Sequence, residues 1–287
     1  LSGNVTVATN VAGAIAGTVN LGLASNANGV VGLDNAALAG QSFAVTGAAF
    51  DYAVATVAPT LDLGNLRVGA NRALNVANTV TTSAAYQDSL DVAATSANAK
   101  LGFANPAKID AGLAGDVAVT AVAAGSLAGN IALALTSNAN GLAGLTNVGL
   151  AGQSVAVTGA VYDFANPAYL AAPIDFGIVR AGTTLASRSV AVSNAVITAA
   201  AYQDALTAAG SSANAKLSAT GFANLAAGAA TADLVIGANA SLGGSLAGNV
   251  NVALTSVAAA AGLSNVTTNG AAIAVTGAVY DYGQPTF

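Results

Sequence analysis

Aspartate is the only acidic side chain with which this sequence could do chemistry. All 12 carboxylates are Asp, no His or Cys occurs, and Lys plus Arg total 7. Three of these aspartates, Asp51, Asp163 and Asp281, sit near the end of one recurring phrase: Ala44-Val45-Thr46-Gly47-Ala48-Ala49-Phe50-Asp51-Tyr52 returns at 156–164 and again at 274–282. With Asp62 or Asp175 they could ligate calcium where two modules meet. Calcium takes about six to eight oxygens, several of them from carboxylates. These acids come singly, without an Asp-x-Asp run, so a turn or strand-edge role is the better expectation. Tyr86-Gln87-Asp88 and Tyr202-Gln203-Asp204 could display a polar recognition patch, but a packed ring whose hydroxyl finds a local partner explains them more simply.

Catalysis has little to work with. Without His and Cys the commonest transition-metal ligands, thiol nucleophiles and a Ser-His-Asp arrangement are all excluded. Nothing pairs two Asp as a glycosidase requires, and 5% aromatic residues leave few platforms for sugars. No catalytic residue, metal ligand or cofactor site is assigned. Seven cations against 12 anions are too few to neutralise a phosphate backbone, so nucleic acid is excluded as a partner. The repeated glycines Gly47, Gly159 and Gly277 mark a bulge or a close backbone approach, because no Gly-rich loop precedes a helix. The glycosylation tripeptides at Asn4, Asn239 and Asn265 are expected by chance in an Asn- and Thr-rich chain.

The elements that position these residues follow from the repeat. Ser25-Asn26-Ala27-Asn28-Gly29 recurs at 137–141 and Leu38-Ala39-Gly40-Gln41-Ser42 at 150–154. A second set occurs only twice: Ala85-Tyr86-Gln87-Asp88 with 201–204, and Ser96-Ala97-Asn98-Ala99-Lys100-Leu101 with 212–217. The chain therefore reads as an orphan second half, 1–52, followed by units at 55–165 and 168–283, with 284–287 as a linker or edge strand. Pro59, Pro167, Pro173 and Pro285 fall just after the Val-Thr-Gly strand, where a linker or edge tolerates a missing N–H. A repeat of about 115 residues is domain-sized, well above solenoid coils of about 20 to 50.

Inside each unit the local period is two. Asn249–Leu254 and Arg188–Ser193 alternate as half-buried antiparallel strands do, and Asn140-Gly141 and Gly243-Gly244 punctuate them. The alanine runs 226–230 and 258–261 are too short for stable helix and belong to loops or single turns. Seven or so strands per unit predict an all-β fold of tandem immunoglobulin-like antiparallel sandwiches. With 54% hydrophobic residues the chain should fold. Asp116, Asn130, Asn194 or glycines interrupt every apolar stretch before about 18 clean residues accumulate, so no transmembrane segment is expected.

Ile174-Asp175-Phe176-Gly177-Ile178-Val179-Arg180-Ala181-Gly182, followed by Ser189-Val190-Ala191-Val192-Ser193-Asn194, resembles the opening strands of immunoglobulin-like modules in bacterial choice-of-anchor-D surface proteins, related to the abnormal-spindle and hydin type. Leu61–Asn78 is a weaker copy, with Leu63 in place of Phe. The resemblance implies a secreted or surface-attached protein built of sandwich repeats, with any cell-surface anchor outside this chain.

Light residues and a charged fraction of 7% suit material exported in bulk and packed side by side. The expected function is a non-enzymatic structural subunit of an extracellular filament, sheath or surface layer, self-associating as a homopolymer. The alternative is the stalk of an adhesin whose tip lies elsewhere. Leu1 in place of Met reads as the start of a processed piece, and 1–10 lack a signal-peptide pattern. The orphan half should expose an apolar face and strand edges and be completed by a neighbouring subunit, unless chain before Leu1 completes it. Gly283, Gln284, Pro285, Thr286 and Phe287 are the candidate inter-subunit strand, since they stand where the next unit would begin.

Overall fold

The strand-forming alternation becomes two sandwiches and a hairpin in the computed structural model, which describes residues 4–286. The hairpin is β1 (Gly13–Ser25) and β2 (Ala36–Ala49), paired antiparallel with each other and with no further strand. The first sandwich contains β3 (Ala55–Val57), β4 (Thr60–Arg67), β5 (Asn71–Asn78), β6 (Ser89–Ser96), β7 (Leu101–Ala104), β8 (Ala114–Ala121), β9 (Gly125–Ser126), β10 (Gly129–Asn138), β11 (Val148–Gly149) and β12 (Gln153–Tyr162). The second contains β13 (Pro167–Tyr169), β14 (Ile174–Arg180), β15 (Arg188–Asn194), β16 (Ala205–Ser212), β17 (Leu217–Thr220), β18 (Phe222–Leu225), β19 (Ala232–Ala238), β20 (Gly244–Ser245), β21 (Gly248–Val257), β22 (Val266–Asn269) and β23 (Ile273–Tyr280).

The same order governs both sandwiches. One sheet runs β3-β5-β8-β7, matched by β13-β15-β19-β17. The facing sheet places β6, β10, β12 and β4 side by side, matched by β16, β21, β23 and β14. In immunoglobulin lettering these are sheets A-B-E-D and C-F-G-A′, so the chain is all-β with immunoglobulin-like sandwiches. One pairing departs from a wholly antiparallel expectation. The A′ strand lies parallel to G, as β4 beside β12 and β14 beside β23, because the chain crosses from one sheet to the other between A and A′. The alanine runs form turns and loops, and the short 3₁₀ turns fall instead at Ala84–Tyr86 and Ala200–Tyr202.

Alternation is what fills the cores. Along β10 Ile131, Leu133 and Leu135 are buried while their neighbours face water, and in β21 Val250, Val252 and Leu254 do the same. Each core is a separate cluster, one around Val76, Leu90, Val117 and Ile131, the other around Val192, Leu234, Ile236 and Val250. Burial of each such side chain contributes about 1.5–3 kcal/mol. Asn140 and Gly141 both take left-handed backbone, φ 56° and 71°, which is why Asn-Gly stands at that turn.

The hairpin repeats the F and G strands without the rest of the sandwich. Val19, Leu21 and Leu23 stand where β10 has Ile131, Leu133 and Leu135, and Phe43 stands where β12 has Val155. Phe43 is 50% exposed and Val155 0%; Val5 and Val7 are 60% and 50% exposed against 0% and 1% for their counterparts Val117 and Val119. The apolar pattern is intact, but no second sheet covers it among the described residues.

Glycine and aspartate fix how A′ lies on G. Gly159 and Gly277 sit at φ 137° and 142° in register shifts of that pairing. A Cβ on Gly159 would fall 2.6 Å from the Gly64 carbonyl oxygen. One residue earlier, the Thr158 hydroxyl donates to Asp62 at 3.0 Å, and Thr276 donates to Asp175 at 2.9 Å. In β2 the matching Gly47 has ordinary backbone, and the nearest atom a Cβ there would meet belongs to the Ile15 side chain at 3.7 Å. The expected bulge or close approach therefore exists at Gly159 and Gly277 and is absent at Gly47, because no strand among the described residues lies on the edge of β2 away from β1.

Gly159→Ala should destabilise the first sandwich by about 2 kcal/mol or more, since it combines a clash with a forbidden φ. Gly47→Ala should change stability by less than about 0.5 kcal/mol; parallel urea titrations of the two variants check the contrast. A second expectation concerns acid. The Gly64 N–H, then the Thr158 hydroxyl, hold the Asp62 carboxyl below its ordinary range; for Asp175 the Gly177 N–H, the Thr276 hydroxyl and, less, the Arg188 charge do so. A depressed folded pKa gives stability that is present above the unfolded value of about 3.9 and is lost as pH falls through the lower folded value. Melting temperature should fall below about pH 4, and less steeply in the Asp62→Asn/Asp175→Asn double variant.

Candidate interface at the sandwich junctions

Where G ends, the next sandwich begins without a spacer. The Asp163 N–H donates to the Tyr202 carbonyl at 2.9 Å, and its carbonyl accepts from the Asp204 N–H at 3.1 Å. Asp51 binds Tyr86 and Asp88 in the same way at 2.9 and 3.0 Å. Each contact is a parallel β-bridge, Asp51 to Gln87 and Asp163 to Gln203. An aromatic pair seals it: Phe50 against Tyr86 at 5.6 Å between centroids, Tyr162 against Tyr202 at 5.7 Å. The recurring phrase is thus a plug, and Tyr-Gln-Asp is its socket.

Buried amides shape the socket. Gln87 donates to the Asn78 side chain at 3.0 Å and to the Thr79 carbonyl at 2.8 Å, and accepts from the Thr81 N–H at 2.8 Å. Asn78 donates onward to the carbonyls of Asp88 and Ile109. Gln203 and Asn194 reproduce this network, with Asn194 donating to Asp204 and Leu225. These buried amides are tolerated because each finds partners, and a satisfied network fixes one geometry.

One ion pair crosses the second junction. Arg67, at the end of β4, reaches buried Asp204 at 2.8 Å. The guanidinium also donates to the carbonyls of Ser264 at 3.2 Å and Asp163 at 3.4 Å and lies 4.3 Å from the centre of the Phe164 ring. Asp204 is further held by the Ser256 hydroxyl at 2.7 Å and the Ala259 N–H at 3.0 Å. Asn65, two residues before Arg67, donates to the Ala261 carbonyl of the same loop.

The sequence candidates find these places. Asp51 and Asp163 are plug residues; Asp62 and Asp175 each accept from a glycine N–H and a threonine hydroxyl; Asp281 accepts from the Gly243 N–H at 2.8 Å. Their carboxylates do not converge, and no group of three metal-ligating side chains exists among the described residues. Asn239 and Asn265 side chains accept from Ser241 and Ala258 N–H groups within their loops. Gly283–Thr286 carry no regular structure and are exposed, and Phe287 lies outside the described residues, as do residues 1–3 of the orphan half. Sequence reasoning missed Arg67 and Asn78 as junction residues. Their recurrence as Arg180 and Asn194 was the available signal.

No family model matches the chain, and none of the curated proteins does. The likeness to choice-of-anchor-D modules therefore rests on the residues that carry it. Among solved structures, human protocadherin-24 EC1-2 aligns over 82% of this chain and 100% of its own at 14% identity and TM-score 0.37. The D00-D0 domain of intimin covers 78% of this chain and 100% of its own at 12% identity and TM-score 0.32. Surface layer protein SbsC, domains 4–9, covers 92% and 35% at 15% identity and TM-score 0.24. All three fall below a TM-score of 0.5, and strand order alone carries the fold assignment. No helix among the described residues is long and apolar enough to cross a membrane.

Arg67→Gln leaves Asp204 buried without its counter-charge and should lower the stability of the second sandwich by about 3 kcal/mol. Exposed Arg180, which lies 5.7 Å from the Tyr282 ring and makes no ion pair among the described residues, should tolerate the same change within about 0.5 kcal/mol. Calorimetry that resolves the two unfolding transitions checks both.

Proposed function

We propose that the protein is a structural subunit of an extracellular filament, sheath or surface layer, built of repeat units at 55–165 and 168–283 that string end to end through the plug-and-socket junction, and that it is not an enzyme. The observation that supports this reading is the use of one contact, with the same hydrogen bonds and the same aromatic seal, at two successive junctions. A third plug, Tyr280-Asp281-Tyr282, with Arg180 beside it, faces solvent at the far end.

In this reading the protein's partner is another copy of itself, at the cell surface or outside it. Gly283-Gln284-Pro285-Thr286-Phe287 occupies the place of Ala165–Tyr169, within which Pro167–Tyr169 forms strand β13. In this reading the tail is the candidate contact between subunits. The orphan half 1–52 supplies the complementary need, since its apolar face is uncovered.

Sedimentation of the full chain over a wide concentration range tests the proposal. Concentration-dependent oligomers, diminished by Asp281→Lys and by deleting 283–287, are the expected result. A monomer at every concentration would remove the self-assembly reading.

A further inference from the structure

The two junctions differ in the group that meets the buried aspartate and in the loop beside it, and the first of these differences has the chemistry of an arginine side chain. At the second, Arg67 lies against Phe164, Asp204 and the loop carbonyl of Ser264. At the first, the matching residues are Tyr52, Asp88 and Thr146, and between them lies a cavity of about 170 Å³ lined by these three with Phe50, Leu145 and Val148. The loops correspond, the first being one residue longer: Gly144 and Gly262 share φ 83°, and the Asn147 and Asn265 side chains accept from the Ala139 and Ala258 N–H groups.

Asp88 is 5% exposed, and its Oδ2 is held by the Ser137 hydroxyl at 2.8 Å, as Asp204 is held by Ser256. Its Oδ1 is buried without a hydrogen-bond partner. Asp51 and Asp163 each have such an oxygen too, so theirs is common to both junctions; the orphan on Asp88 belongs to the first alone, because the matching Oδ1 of Asp204 accepts from the Ala259 N–H while Arg67 sits on Oδ2, and at the first junction the Asn140 N–H donates to Asn138 instead. Asp88 thus lacks both the backbone donor and the counter-charge that Asp204 has; a buried carboxylate left so is costly, and a guanidinium is well matched to a carboxylate.

The edge of β2 specifies how that arginine would arrive. In the complete sandwiches A′ pairs with G so that threonine meets aspartate, glycine meets glycine, and arginine falls opposite the aromatic residue: Thr158 with Asp62 and Tyr162 with Arg67, Thr276 with Asp175 and Tyr280 with Arg180. β2 carries Thr46 and Gly47, and Phe50 follows its end, at the same spacing; its G-type edge is unpaired among the described residues. Gly47 has no close neighbour beyond the Ile15 side chain, although close approach of A′ is what requires glycine at Gly159.

We propose that the free edge of β2 and the cavity at Asp88 form one receptor for a strand of pattern Asp-x-Gly-x-x-Arg, laid parallel to β2 with its arginine opposite Phe50 and its guanidinium on Asp88. The donor is the A′ strand of a further unit of this repeat type. Thr46 receives its aspartate, Gly47 admits its glycine, and the Thr146 carbonyl takes a second guanidinium N–H. The site stands on the geometry of the first junction and holds whether or not the protein forms filaments.

The test uses the full chain and a fluorescein-labelled peptide of residues 58–70, followed by anisotropy. The native peptide should bind saturably, and a peptide carrying Arg67→Gln should bind about tenfold or more weakly, as expected for a desolvated charge pair. Asp88→Asn in the chain should abolish the difference between the peptides. Thr46→Val, at an exposed edge position, should weaken the native peptide without touching the buried network, which keeps the test sound if Asp88→Asn fails to fold. Equal affinity of the two peptides, or no saturable binding up to about 1 mM, would overturn the proposal.

Discussion

Asp163 belongs to two sandwiches at once, and the geometry of the molecule depends on that. Its backbone completes the run of G while its N–H and carbonyl bond to Tyr202 and Asp204 of the next unit. Tandem domains ordinarily meet through a flexible linker and move relative to one another. Here the connection has no length in which to flex. An aromatic pair covers the bridge, and Arg67 reaches from the end of A′ to an aspartate with no exposed side-chain surface. Breaking that pair would strand a charge in a desolvated site, a large penalty compared with the energy of surface ion pairs. The junction is therefore stiff because the Gln203–Asn194 amides and the Arg67–Asp204 pair are each satisfied by this arrangement.

Much of this was legible in the residues. Alternation in Asn249–Leu254 and Arg188–Ser193 marks strands that β21 and β15 contain, because one face of each is buried and the other is wet. The thrice-repeated phrase pointed to residues under a common constraint. Its meaning was hidden, since a hydrogen bond from the Asp163 backbone to a socket 39 residues later has no local signature in side-chain type. The parallel A′–G pairing was hidden too: strand direction depends on which sheet the chain joins after Pro59 or Pro173, and a period of two is the same in either direction. Tyr86 and Tyr202 were readable as packed rings, but their role as seals requires the position of Phe50 and Tyr162.

The hairpin shows what a sequence pattern can and cannot do alone. β1 and β2 keep the apolar positions of F and G, and their pairing satisfies the backbone between them. A two-stranded ribbon is marginal in water without a third strand or a covering layer. The same side-chain types that are fully buried in β10 and β12 are half exposed here, so binary pattern specifies the face and only the missing strands supply the burial. Gly47 makes the point at one residue. Glycine weakens an ordinary strand, and in β2 nothing close requires it, whereas at Gly159 a carbonyl occupies the space a Cβ would take.

Low charge gives the junction its selectivity. With charged residues at 7% of the chain and two ion pairs among the described residues, one of them the exposed Lys108–Asp110 contact, long-range attraction does little to choose between partners. Surfaces rich in small neutral residues allow many approximate contacts of similar energy. Selection must then come from a site where a wrong partner leaves something buried and unsatisfied. Asp204 is such a site: a neighbour that presents no arginine at the end of A′ leaves its carboxylate without a counter-charge, and a neighbour shifted by one strand position presents the wrong face of A′ altogether. Register, set by glycine against glycine and threonine against aspartate, thus decides whether the charge pair can form, and the charge pair makes that register the one that is kept.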